Sequence, residues 1–204
     1  MKIVFINGSM SESSSGTKLC DQLSEYMKKS RNDVTTDRID IRSMAHEITD
    51  AMLTGFAPVE LLAAQKELQN ADAMVAITPT YQASMAGLFK MFFDVLPDDA
   101  LKNKPVLLAA TGGSARHGLV IDHAMRPLFT YLGALPIRTG IFAATQDWGA
   151  PGLEAGIAED EPLERRIKRA ADELLSITDL CPENQAAPPD PMADFVDFGT
   201  LLGD

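Results

Sequence analysis

The 204-residue chain has little cysteine and little positive charge, and both shortages exclude classes of function. Its two cysteines, Cys20 and Cys181, form no Cys-x-x-Cys pair and no cluster with histidine, which argues against a disulfide framework or a zinc site. A net charge of −11 argues against partners such as nucleic acid or an anionic membrane, because both need a basic surface. No apolar run approaches the length of a membrane span, and no signal-peptide pattern follows Met1, so we expect a cytoplasmic protein.

The two most familiar nucleotide-binding patterns are also missing. An apolar run at residues 3–6 leads into Gly8, as a nucleotide-binding loop would require. However, no lysine stands where a Walker loop needs one, and the spacing Gly-x-Gly-x-x-Gly is absent. Both absences disfavour a nucleoside triphosphate site and a conventional dinucleotide site.

Apolar strand-like runs alternate with helix-like segments along most of the chain. Strands are predicted at residues 1–6, 34–41, 73–77, 105–110 and 137–143, and helices at 16–30, 59–69, 84–96, 119–132 and 161–177. Continuous apolar strands separated by helices indicate a parallel sheet that is covered on both faces. The pattern therefore predicts an α/β fold, a doubly wound three-layer αβα sandwich with five parallel strands.

The length favours one domain, which we place at residues 1–180. Residues 181–204 differ in composition, with prolines at 188, 189 and 191, and are predicted to form an extended or disordered C-terminal arm. The arm also carries apolar residues, including Phe195 and Phe198. Packing on a neighbouring subunit and packing on its own domain both remain open for this arm.

Residues 7–17 are the most informative segment of the sequence. A strand that opens through glycine and hydroxyl residues into a helix is typical of a phosphate cradle, because the first N–H groups of a helix are unsatisfied and its dipole favours negative charge. We expect this loop to hold a single terminal phosphate, such as that of flavin mononucleotide (FMN). The candidate residues are Ser9, Ser11, Ser14, Ser15, Gly16 and Thr17. The alternative is a polar strand-to-helix turn that is rich in N-cap residues.

The loop after the third predicted strand should lie beside this cradle, because parallel strands present their carboxyl ends at one edge of the sheet. It contains Pro79, Thr80, Tyr81 and Gln82, which offer an aromatic face, an amide and free backbone groups. These groups could match the edge of an isoalloxazine ring. Ser84 is predicted to be the N-cap of the helix that follows.

The loop after the fourth predicted strand contains Thr111, Gly112 and Gly113, followed by Arg116 and His117. Two adjacent glycines allow the backbone to approach a flat ligand closely. Arg116 and His117 could attract a phosphate or the ribose of a nicotinamide nucleotide. A solvated surface pair is the alternative for these two side chains.

With these three loops, the chain resembles the NADPH-dependent FMN reductase family of flavodoxin-like proteins. The residues that carry the resemblance are Gly8-Ser9 with Ser14 and Thr17, Thr78-Pro79-Thr80-Tyr81 with Ser84, and Thr111-Gly112-Gly113-Ser114 with His117. Further motifs are similar to those of reductases that serve luciferase-like monooxygenases in two-component systems: Gly87-Leu88-Phe89-Lys90, Arg126-Pro127-Leu128-Phe129 and Asp147-Trp148-Gly149. The similarity spans residues 2–175.

The resemblance implies a flavodoxin-like fold with strand order 2-1-3-4-5 and hydride transfer from NADPH or NADH to the flavin N5 atom. It implies that Ser9, Ser14 and Thr17 hold the FMN phosphate, and that the loops at 79–82 and 111–113 contact the ring. It further implies a homodimer or homotetramer and a flavin-dependent monooxygenase as partner. Neither a catalytic acid or base nor a metal is expected.

The chain departs from the family at one position and leaves rival functions open. Met10, Ser11 and Glu12 stand where many relatives carry an arginine, so we expect weak flavin binding, which would suit an enzyme that releases reduced FMN. One rival is a quinone, azo or metal-ion reductase with tightly bound FMN. Others are a flavodoxin-like electron carrier without an NAD(P)H site and a binding protein that has lost flavin.

Overall fold

A mainly parallel sheet forms the middle layer of the structure, a computed structural model that describes residues 1–149 and 161–181. The strands are β1 (Lys2–Asn7), β2 (Thr35–Asp40), β3 (Ala73–Tyr81), β4 (Ser84–Met85), β5 (Pro105–Gly112), β6 (Leu135–Pro136) and β7 (Ile141–Ala144). The α-helices are α1 (Ser15–Ser30), α2 (Ala45–Thr54), α3 (Val59–Gln69), α4 (Gly87–Asp94), α5 (Arg126–Tyr131) and α6 (Leu163–Asp179). Short 3-10 turns lie at Ile41–Met44, Ala115–His117 and Thr145–Trp148, and a π-helix at Ile121–Met125.

The strand order is β2-β1-β3-β5, with β6 and β7 both lying parallel to β5 on its far side. The predicted order and three-layer architecture are therefore confirmed. The number of strands is corrected, because the described sheet has seven strands rather than five. Two short strands share the place of the expected fifth strand, and β4 adds an antiparallel pair at the end of β3.

Side chains from two helices explain why the expected fifth strand is divided. Arg126 donates to the carbonyl oxygens of Ile137 at 2.8 Å and Arg138 at 3.1 Å. Glu173 accepts hydrogen bonds from the backbone N–H groups of Arg138 at 3.0 Å and Thr139 at 3.2 Å. These backbone groups consequently bond to side chains instead of to a neighbouring strand.

The helix expected at 84–96 begins later, because the chain first forms a hairpin. Gln82 and Ala83 have φ angles of 47° and 65° and form a two-residue turn, with Ser84 paired in β4. The prediction that Ser84 is the N-cap of this helix is therefore wrong. The N-cap of α4 is Ala86, which makes no side-chain capping hydrogen bond. The Thr78 hydroxyl instead accepts a hydrogen bond from the Ala86 N–H at 3.0 Å.

The predicted helix at 119–132 also takes a different form. It consists of the π-helix Ile121–Met125, which continues into α5 with Pro127 in its first turn. Proline has no N–H to donate to the turn before it, so the wider π turn is compatible with the sequence here.

Apolar side chains alternate between the two faces of the sheet, as the strand period requires. Val4 and Ile6 join a buried cluster with α2, α3, α4 and α5, whereas Ile3 and Phe5 join a second cluster with α1 and α6. None of the helices in the described ranges is long and apolar enough to cross a membrane. Of the predicted C-terminal arm at 181–204, only Cys181 belongs to the described residues.

Candidate functional site

The loop between β1 and α1 is fixed to the neighbouring strand at its first residue. The Gly8 N–H donates to the carbonyl oxygen of Ile77 in β3 at 2.8 Å. A Cβ atom at position 8 would lie 2.7 Å from the Phe89 ring and 3.0 Å from that carbonyl oxygen. Glycine is therefore required here, because any side chain would displace either the core aromatic ring or β3.

Hydroxyl groups surround the N-terminus of α1. Ser14 is the N-cap, and its Oγ accepts a hydrogen bond from the Thr17 N–H at 3.0 Å and lies 3.0 Å from Thr17 Oγ1. Asn7 Nδ2 donates to Thr17 Oγ1 at 3.2 Å and to Asp40 Oδ1 at 2.7 Å. The sequence analysis missed Asn7, although a polar side chain that ends an otherwise apolar strand is a usable signal.

Ser9 has an unsatisfied hydroxyl in this cradle. The residue is only 4% exposed, and its Oγ has no hydrogen-bond partner among the described residues. A Cβ atom on Gly16 would lie 2.2 Å from Ser9 Oγ, so the glycine leaves the space that this hydroxyl occupies. A buried hydroxyl without a partner costs about 1–3 kcal/mol, so such a group requires an explanation. A ligand oxygen at this point would supply one.

A cavity of about 420 Å³, which Ser9 lines, opens between the β1–α1 loop and the carboxyl end of β2. Its lining residues are Asn7, Ser9, Ser11, Glu12, Thr17, Arg38, Asp40, Arg42 and Ser43. Of the predicted cradle residues, Ser9, Ser11 and Thr17 line the cavity, while Gly16 is buried behind it. Ser14 and Ser15 are half-buried at the start of α1 and do not line it.

The arginines of this cavity were not predicted as site residues. Arg38 contacts two carboxylates, with Nη1 at 2.8 Å from Asp21 Oδ1 and Nε at 3.2 Å from Asp40 Oδ2. Arg42 Nη1 lies 3.5 Å from Glu12 Oε1. Both arginines reach the cavity because β2 pairs with β1, which places the end of this polar edge strand beside the β1–α1 loop.

The second and third predicted loops meet at the same edge of the sheet. Pro79 of β3 is paired with Thr111 of β5, so the two loops leave the sheet side by side. Thr80 Oγ1 is a second buried hydroxyl with no hydrogen-bond partner among the described residues. A Cβ atom on Gly112 would lie 2.8 Å from the Phe142 ring and 3.7 Å from Thr80 Cβ. The absence of a side chain at Gly112 therefore makes room for the Phe142 ring of β7.

The remaining predicted residues are more exposed. Tyr81, 50% exposed, and Gln82 lie at the hairpin between β3 and β4. Gly113, Arg116 and His117 are exposed after β5, and within the described residues the Arg116 guanidinium makes no ion pair. Because β3 separates β5 from β1, the end of β5 from which this loop leaves lies about 10 Å along the sheet from the end of β1.

The arrangement suits a ligand with an anionic end and a flat head. The hydroxyls of Ser9 and Thr80, both without a partner among residues 1–149 and 161–181, provide two separate points for polar contact. Trp148, in contrast, lines another cavity between α1 and α6, so it does not cover the cradle. No group of three or more histidine, cysteine, aspartate or glutamate side chains within residues 1–149 and 161–181 could hold a metal ion.

Comparisons with known proteins identify the family of the chain. The family model described as NADPH-dependent FMN reductase matches residues 1–149. The chain is 37% identical over 134 residues to an FMN reductase (NADPH) of Pseudomonas aeruginosa, covering 66% of this chain and 69% of that protein. The same identity and coverage apply to the NADH-dependent FMN reductase SfnF of Pseudomonas fluorescens.

Solved structures of similar proteins share the fold. An oxidoreductase from Corynebacterium diphtheriae is 35% identical with a TM-score of 0.76, covering 88% of this chain and 97% of that one. The apo form of the NADH:FMN oxidoreductase EmoB is 27% identical with a TM-score of 0.76, covering 95% of this chain and 98% of that one.

Proposed function

Because the chain belongs to the NADPH-dependent FMN reductase family, we propose that it transfers hydride from NADPH or NADH to FMN at the edge formed by β1, β3 and β5. The observation that carries this proposal is the buried hydroxyl of Ser9 at the N-terminus of α1, which has no hydrogen-bond partner in the described part of the chain. A phosphate oxygen there would accept its hydrogen bond and would also face the positive end of the helix dipole.

The chain's contribution is binding and orientation. When bound, FMN supplies the N5 atom that accepts the hydride. The cradle of Ser9, Thr17 and the first N–H groups of α1 holds the phosphate and so fixes the position of the flavin along the sheet edge. Thr80 and the backbone at Gly112 and Gly113 lie against the ring, and a Cβ atom at Gly113 would meet nothing within 4 Å, so the backbone there can be approached closely. Arg116 and His117 remain free to attract the nicotinamide nucleotide.

Delivery of reduced FMN to a flavin-dependent monooxygenase forms part of the proposal. The phosphate loop contains no cation, and its one charged residue within 8–17 is Glu12. An anionic side chain beside the cradle weakens the electrostatic attraction of a phosphate. Moderate affinity permits the enzyme to bind oxidised FMN, reduce it and release it to another protein.

We also propose that the protein forms a homodimer or homotetramer. The aromatic residues of the predicted helices at 84–96 and 119–132 are the first candidates for the subunit contact. Phe89, Phe92 and Phe93 of α4 are at most 1% exposed, so these rings belong to the core of one chain. Tyr131 and Leu119 are 88% and 65% exposed and are the better candidates for a subunit contact. Sedimentation velocity of the full chain measures the oligomeric state.

Anaerobic oxidation of NADPH and NADH with FMN, riboflavin or a quinone as acceptor tests the proposed activity. We expect turnover with added FMN, and protein that loses most of its flavin on a desalting column. Faster turnover with the quinone, together with yellow protein that retains FMN, would contradict the proposal and favour a flavin-bound quinone reductase. Failure of both nicotinamide nucleotides to reduce FMN would favour an electron carrier.

A further inference from the structure

The two arginines of the cavity beside Ser9 are held very differently. Arg38 is in contact with two carboxylates, those of Asp21 and Asp40, at 2.8 and 3.2 Å. Arg42 is in contact with one, Glu12, and the distance of 3.5 Å is longer than a charge-assisted hydrogen bond. The Glu12 side chain is 95% exposed and that of Arg42 is 52% exposed. Arg42 is therefore the cation of this cavity that can change its partner most easily.

The same cavity has a side chain that points to an anionic ligand independently of the arginines. Ser9, which lines it, is 96% buried, and its hydroxyl has no partner within the described residues. The β1–α1 loop supplies backbone N–H groups and hydroxyls to this point but no positive side chain. The two arginines that line the cavity lie on the opposite wall, which the 3-10 turn Ile41–Met44 forms with the end of β2.

We propose that Arg42 is the counter-ion of the flavin phosphate in this chain, and that Glu12 competes with the phosphate for Arg42. The proposal rests on the proposed function, because it assigns residues to the phosphate end of that site. A phosphate monoester carries nearly two negative charges at neutral pH and presents oxygens that match the guanidinium fork. The exposed Glu12–Arg42 contact is weak, so a phosphate displaces the carboxylate into solvent at little cost.

The competition between Glu12 and the phosphate for Arg42 gives a function to residues 10–12, where this chain lacks the arginine of many relatives. An arginine across the cavity replaces the cation that the loop lacks, and the glutamate reduces the gain in affinity. The result is a site that distinguishes FMN from riboflavin, which has no phosphate, yet binds FMN only moderately. Moderate binding allows reduced FMN to leave for a second enzyme.

Dissociation constants of FMN and riboflavin for four variants test the proposal, measured by quenching of flavin fluorescence at constant ionic strength. Arg42→Gln should weaken FMN binding about tenfold, because a charge-assisted contact is lost. Glu12→Gln should strengthen FMN binding by about threefold, the magnitude of an exposed ion pair, and its benefit should shrink in the double variant Glu12→Gln/Arg42→Gln. None of these three variants should change the dissociation constant of riboflavin, which has no phosphate. Arg169→Gln is the matched control and should change FMN binding by less than about twofold, because Arg169 also pairs with one glutamate, Glu161, has a side chain that is 56% exposed, and lies on α6 outside this cavity.

Each contrary outcome has a distinct meaning. Equal losses in the Arg42 and Arg169 variants would show a general effect of positive charge and would overturn the assignment to Arg42. An unchanged FMN constant in Arg42→Gln would overturn it as well, while a wild-type preference for FMN over riboflavin would leave the phosphate cradle intact. If the wild type bound FMN and riboflavin equally, the phosphate cradle of the proposed function would itself fail.

Discussion

Replacement of Ser9 by alanine should change protein stability and FMN binding in opposite directions. The wild-type hydroxyl is buried and has no partner among the described residues, so the free protein bears its desolvation cost. Alanine removes the hydroxyl and leaves the Cβ atom in place. The free energy of unfolding in the absence of flavin should therefore increase by about 1 kcal/mol, at the low end of the cost of a buried unsatisfied group.

The same substitution removes a donor to the charged phosphate. A hydrogen bond to a charged group is worth about 1.5–3 kcal/mol, so the FMN dissociation constant should rise by about tenfold or more. At an FMN concentration of about 100 times the wild-type constant, flavin should stabilise the wild type by about 2.7 kcal/mol. A tenfold weaker variant should gain about 1.4 kcal/mol at the same concentration.

Urea unfolding with and without FMN measures both effects on the same samples. Ser24→Ala is the matched control, because the Ser24 hydroxyl lies 2.7 Å from Thr36 Oγ1 and so has a partner. This control should lose stability and keep the FMN constant of the wild type. If Ser9→Ala proved less stable than the wild type, or bound FMN equally well, the assignment of Ser9 to the ligand would be wrong.

Three further predictions concern the remainder of the fold. Gly8→Ala should lower the free energy of unfolding by about 1–3 kcal/mol, because its Cβ atom would lie 2.7 Å from a core ring. Gly113→Ala is the control, since a Cβ atom there would meet nothing within 4 Å, and equal urea midpoints for the two variants would contradict this prediction. Burial raises the pKa of Cys20 to about 12, so only the half-buried Cys181 should react with Ellman's reagent at pH 8 until the protein unfolds. Reaction of two thiols in the folded protein would contradict this. Burial lowers the pKa of Lys104 to about 8. Between pH 8 and about 10.5 the unfolded state therefore binds more protons than the folded state. The free energy of unfolding of the wild type should rise across that range by on the order of 2 kcal/mol relative to Lys104→Met. Parallel plots of unfolding free energy against pH for the two proteins would refute this.

The sequence predicts the sheet and the location of the site because both follow from local patterns. Apolar runs and helical spacing fix the order of elements, and parallel strands necessarily present their carboxyl ends at one edge. Ser9, Thr17 and Thr80 could be selected as candidates for that reason. Their status as buried hydroxyls without a partner could not be predicted, since it depends on the packing of Gly16 and of the neighbouring strands.

Features that depend on distant contacts were missed. Arg42 reaches the cradle only because β2 pairs with β1, and nothing in the sequence around it marks a ligand contact. The turn at Gln82 and Ala83 contains neither glycine nor asparagine, the residues that favour positive φ in a two-residue hairpin. The division of the last strand depends on Arg126 and Glu173, which lie on helices before and after it.

A crystal structure of the protein in complex with FMN would show directly whether the phosphate binds beside Ser9. We expect density for the phosphate at the N-terminus of α1, with one oxygen within hydrogen-bond distance of Ser9 Oγ and the ring against Thr80 and Gly112. A flavin bound elsewhere, or a cradle that remains empty at saturating FMN, would contradict it.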